Sequence, residues 1–155
     1  MAQKKPSPTP PTLSSTESNE ATTRSAQASL RYGLTALLLF VLGGLSLEFL
    51  HLIKAPWYLE NHLRRELWVL AHAHGALLAL FNLIYASLLP RLSAAANAGI
   101  WLRWGAALLP AGFFAGGIGN SEGDPSLGIV LTPLGALAVV IALILCVRAV
   151  WRRNP

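Results

Sequence analysis

The chain has 155 residues, 54% of them hydrophobic and only 12% charged, against roughly 25% charged in soluble domains. A chain this short has room for one domain and too little interior to hide that much apolar surface, so a soluble globule is excluded and lipid is the expected solvent. The net charge is +5, but the basic residues flank apolar runs and form no separate patch. The expected partner is therefore the bilayer and not a nucleic acid.

Residues 1–28, "MAQKKPSPTPPTLSSTESNEATTRSAQA", are Pro, Ser, Thr and charge with almost no large apolar side chains, and are predicted to be a disordered cytoplasmic tail. Lys4 and Lys5 imitate the start of a signal peptide, but no apolar run follows directly. The first hydrophobic run is accordingly expected to be an uncleaved anchor.

The membrane domain, 29–153, contains four apolar runs, at about 31–53, 66–89, 98–118 and 127–150. Each is near the roughly 20 residues that cross the hydrocarbon core. The prediction is an all-α, four-helix transmembrane bundle. Their connections are "KAPWYLENHLRR", "RLSAAANA" and "GNSEGDPS". With the N-terminus inside, the inner ends carry Lys4, Lys5, Arg24, Arg31, Arg91, Arg103, Arg148, Arg152 and Arg153, and the outer ends only Lys54, Arg64 and Arg65. That bias puts both termini in the cytoplasm, with the bacterial inner membrane as the expected location. Trp57, Tyr58 and Trp68 would mark the outer interface, and Tyr32, Trp101, Trp104 and Trp151 the inner one.

Small residues foretell the helix contacts: Gly75, Ala76, Ala79 and Ala86 along run two, Gly112 and Gly116 in run three, Gly128, Thr132 and Ala136 in run four. Pro110 and Pro133 are each expected to bend a helix and free a carbonyl. The lone Cys146 rules out an internal disulfide and reads as an inert thiol in an apolar run.

The informative polar residues gather at one end. Glu48 and His51, three apart, share a face near the outer end of run one. Run two enters from the same side, which puts His72 and His74 roughly 9–12 Å in and Glu48 and His72 at similar depth. His62, Glu122 and Asp124 fall in the outer loops and would form the mouth of a site. Ionisable groups in lipid are expensive and by default mark function.

Two residues apart on a helix is about 200° of rotation, so His72 and His74 cannot chelate one ion together. His72 shares its side with Gly75, Ala76 and Ala79, a face small enough to admit a flat cofactor or a close helix. His74 shares its side with Leu78, Phe81 and Tyr85.

The motif "AHAHG" resembles the H-x-H of the heme–copper oxidase catalytic subunit and of smaller heme membrane proteins. There the two rings ligate different hemes, which implies His72 or His74 as an axial ligand facing His51. The oxidase's remaining helices and copper ligands are absent, so oxygen reduction is not implied. More broadly, "LEFLHLIKAPWYLENHLRRELWVLAHAHGALLALFN" with "GDPSLGIVLTPLGA" resembles a group of short, uncharacterised bacterial four-helix integral membrane proteins, a likeness that brings no activity with it.

Three functional expectations follow. One is heme b held by His51, His72 or His74 for electron transfer or redox sensing. A related one is a zinc, copper or iron site built from Glu48, His51 and His72 or His74. The second class is a non-catalytic scaffold, a homo-oligomer or an accessory subunit of a larger membrane complex. The third is proton-linked small-solute transport through Glu48 and the histidines. No serine has a paired base at recognisable spacing and no Gly-rich loop resembles a phosphate cradle, so no enzyme class is expected.

Overall fold

The computed structural model of the chain describes residues 13–92, 95–121 and 123–152, with side chains from Thr16 onward. Among them there is no strand. Helix α1 spans Leu13–Leu52, a one-turn α2 Pro56–Leu59, α3 His62–Leu88, α4 Ala98–Gly116 and α5 Leu131–Trp151. Short 3-10 turns follow α3, at Leu89–Arg91, and precede α5, at Leu127–Val130. Three helical stretches, Thr16–Leu52, His62–Arg91 and Leu127–Trp151, are long and apolar enough to cross a membrane. Helix α4 is not one of them: its nineteen residues include Arg103, two tryptophans, four glycines and Pro110.

The packing explains why α4 differs. Helix α1 lies on α3, α3 on α4, and α4 on α5, while α1 and α4 meet only lightly. Nine of the nineteen α4 residues are buried, against four of twenty-one in α5. A helix wrapped by neighbours needs few large lipid-facing side chains and gains more from small ones. Gly105 lies under Val139, Gly112 against Thr132, and Gly135 against the backbone of Leu109. On the other side Gly75 receives the ring of Phe40, and Gly33 meets Leu83 and the carbonyl of Ala79. The small face of α3 is therefore filled by α1 itself.

Several expectations need correcting. Helix α1 starts at Leu13, so the predicted disordered tail is helical over 13–28, and residues 1–12 lie outside the described residues. Composition missed this because the support is tertiary. Ser25 Oγ donates to the carbonyl of Ala96 at 2.8 Å, and Ala26 packs on a cluster containing Tyr85, Leu89 and Ala98. The exposed Glu20–Arg24 pair, 3.6 Å apart, adds little.

Helix α3 starts at His62 and not at 66, because the Asn61 side chain caps it by accepting from Arg64 N–H at 2.8 Å. His62 is thus in a first helical turn and not in a loop. Pro133 sits in the first turn of α5, where its missing N–H removes no bond within that helix. Only Pro110 is interior, and it deprives the Ala106 carbonyl of its usual donor.

Helix α1 ends in a tight reversal. Ala55 N–H reaches back to the carbonyl of Leu50 at 3.0 Å with Lys54 at φ 51°, the left-handed position that normally holds glycine. Lys54→Gly should raise stability by about 1 kcal/mol by relieving that conformation, measurable as a higher unfolding midpoint in detergent.

Candidate functional site

The light contact between α1 and α4 leaves a cleft of about 550 Å³ walled by α1, α3 and α4. That size suits a small-molecule or cofactor site. Its walls are almost wholly apolar, and His72 supplies the only imidazole. Gly43 also lines it, and a Cβ there would meet nothing within 4 Å.

His72 is held by α1. Its Nδ1 lies 2.7 Å from the carbonyl oxygen of Phe40. A carbonyl only accepts, so Nδ1 carries the hydrogen and, in the neutral ring, Nε2 keeps its lone pair. The ring rests over Gly44, where any Cβ would collide with it. His72 therefore sits level with Phe40 and Gly44, about one turn deeper than Glu48, and the expected equal depth of Glu48 and His72 does not hold.

The other predicted site residues are dispersed. His51 is exposed; its Nδ1 lies 3.2 Å from the carbonyl of Leu47 on its own helix, and its ring meets Tyr58 edge-on at 5.2 Å. Glu48 is exposed. His74 bonds its own helix at Leu70, 2.9 Å, and lies against Phe113 of α4, 5.1 Å between rings. His62 pairs with Glu66 at 3.2 Å on the exposed first turn of α3.

Asp124 is exposed in the turn before α5, where its N–H donates to Ser121 Oγ at 3.2 Å. Glu122 lies outside the described residues. Among the described residues no three His, Cys, Asp or Glu side chains converge where they could hold a metal ion. The expected joint site of Glu48, His51, His72 and His74 is not assembled: Glu48 and His51 are exposed near the end of α1, His74 lies against Phe113 of α4, and of the four only His72 lines the cleft.

What closes the upper end of the cleft was not anticipated. Tyr58, Trp68 and Phe114 form a stacked column, with ring centroids 6.0 Å and 5.0 Å apart, and the last two rings line the cleft. Trp68 Nε1 donates to the Phe114 carbonyl at 3.0 Å. Arg64 binds the carbonyls of Gly117 and Trp57, at 2.9 and 2.6 Å, and Asn61 exchanges amide bonds with Asn120. The run of Trp, Tyr, Asn and Arg in the first connection was the available signal. By themselves its aromatics read as interface anchors and Arg64 as a topology charge.

Tyr58 is fully buried and its hydroxyl has no hydrogen-bond partner among the described residues. Burial pushes its pKa up from 10.0, with Arg65 pulling it down and Glu48 adding a smaller upward push. A raised folded pKa means the stabilising contribution is complete below pH 10 and fades as pH rises beyond it. Tyr58→Phe keeps the column and deletes an unsatisfied group, so stability near pH 8 should be unchanged or up to about 1 kcal/mol higher. Its loss of stability above pH 10 should be smaller than that of the wild type, as read from parallel denaturation curves.

No protein-family model matches the chain, and no curated protein or solved structure matches it either.

Proposed function

We propose that the chain is a four-helix integral membrane protein that holds a b-type heme in the α1/α3/α4 cleft, with His72 Nε2 as the axial ligand, for electron transfer or redox sensing. The observation that carries this is His72 itself: an imidazole anchored through Nδ1 to a backbone carbonyl, with Nε2 uncommitted, in an apolar cleft. An outer N–H tied to a carbonyl is the usual support of a metal-bound histidine. Heme brings four ring nitrogens of its own and asks the protein for one axial group. A bare zinc, copper or iron ion asks for three or four, which the dispersed side chains do not favour.

Three spans are apolar enough to cross alone, and α4 crosses in their company because α3 and α5 cover it. Both termini face the cytoplasm, in keeping with nine Lys and Arg at that end and three at the other; in a bacterium this is the inner membrane.

The test is to express the full chain in a heme-replete host, purify it in detergent and record oxidised and reduced spectra with an iron analysis. A reducible Soret band with about one iron per chain is expected. A colourless, iron-free protein that stays so after heme addition would overturn the reading.

A further inference from the structure

We propose that Arg103 and Ser29 form a seat for the phosphate of an anionic phospholipid, at the end of the molecule opposite the aromatic column. Arg103 is the sixth residue of α4, and its Nη1 donates at 2.9 Å to Ser29 Oγ of α1. Ser29 is fully buried, so the guanidinium is drawn into the gap between two helices that otherwise meet lightly. Among the described residues no carboxylate pairs with it; the ion pairs are Arg24–Glu20 and His62–Glu66.

A guanidinium has five N–H donors and no acceptor, and one neutral hydroxyl leaves most of them unmatched. The other polar groups beside it are turned to backbone: around Gly99 stand Arg103 Nη1, Ser25 Oγ and the Tyr85 ring, and the two hydroxyls donate to the carbonyls of Ala96 and Ala95, each at 2.8 Å. A cation placed between membrane helices calls for a partner, and the one missing here is an anion with several acceptor oxygens.

The surroundings select a lipid. Arg31, Arg91, Arg148 and Arg152 are exposed at the same end, and the only described carboxylates there are Glu17 and Glu20. A basic pocket between transmembrane helices, ringed by further positive charge, is how acidic headgroups are held. Tyr32 and Ala107, one turn from Ser29 and Arg103, line the near end of the apolar cleft, so the seat opens onto apolar wall where an acyl chain can lie. Ser29 is eleven residues from Phe40, about 16 Å along α1, so an occupied seat leaves His72 free and the inference does not rest on heme.

The test reconstitutes the full chain in nanodiscs of phosphatidylcholine with one-fifth phosphatidylglycerol and counts the lipids retained by native mass spectrometry. Phosphatidylglycerol should be enriched on the wild type. Arg103→Gln should reduce that enrichment about fivefold, the worth of one interfacial cation, while Arg103→Lys keeps most of it. Arg148→Gln removes one charge from the exposed ring and leaves the seat itself, so it should lower the enrichment by at most about twofold. Ser29→Ala keeps the cation but removes the hydroxyl that positions it, and should lower the enrichment by about twofold, less than Arg103→Gln does.

Equal retention of both lipids, or an equal loss in Arg103→Gln and Arg148→Gln, would overturn the seat. Displacement of the lipid by millimolar inorganic phosphate would overturn the lipid in favour of a free anion.

Discussion

His72→Ala should abolish the Soret band of the heme-loaded protein, while His51→Ala and His74→Ala leave it in place. The difference follows from where the three rings stand. His51 is exposed and satisfied by its own helix, and His74 is likewise tied to its own helix against Phe113. Only His72 faces the cleft. Losing an outer partner of a metal ligand typically costs about 10–100-fold in affinity, and loss of the sole axial ligand should exceed that.

Gly43→Leu supplies an independent arm. A Cβ at Gly43 would meet no protein atom within 4 Å, and Gly43 lines the cleft, so a leucine there should exclude the macrocycle without disturbing the helices. Heme retained in both His72→Ala and Gly43→Leu would place the cofactor elsewhere. Retention of bound phosphatidylglycerol by both variants would leave the Arg103 seat standing whatever became of the heme.

Gly135→Ala should destabilise the protein by about 2–3 kcal/mol, at the upper end of what overpacking one methyl commonly costs. The added carbon would fall against the backbone of Leu109, which cannot rotate away as a side chain can. Gly43→Ala is the matched control: the same chemical change, in a helix, into open space. Helix propensity alone then favours alanine by about 0.5–1 kcal/mol, so the two substitutions should move the unfolding midpoint in detergent in opposite directions. Equal effects would mean that α4 and α5 do not approach as closely as the small-residue faces indicate.

The helical class and three of the four apolar spans were legible from hydropathy, because a run of roughly 20 apolar residues is both long enough to cross a bilayer and hard to place in a small soluble domain. The fourth run folds as α4, which is not apolar enough to cross by itself. Small-residue spacing likewise foretold the contacts of Gly112 with Thr132 and of Gly75 with its neighbour, since close backbone approach is a local property of each face. One reading failed because what decides it is long-range. The polar stretch 13–28 looked incapable of order, yet Ser25 and Ala26 dock on residues seventy positions away.

The sequence by itself determined the helical class, the three helices apolar enough to cross a membrane and the crowding of all four histidines into residues 51–74. Only the tertiary structure decided which histidine faces a cleft. Helix periodicity gives the angle of each ring about its own axis, and says nothing of which neighbour stands opposite or at what height. That height was set by the register of α1 on α3, fixed where Phe40 meets Gly75 and His72 meets Gly44. It placed His72 alone in the cleft and left Glu48 and His51 a turn or more above it.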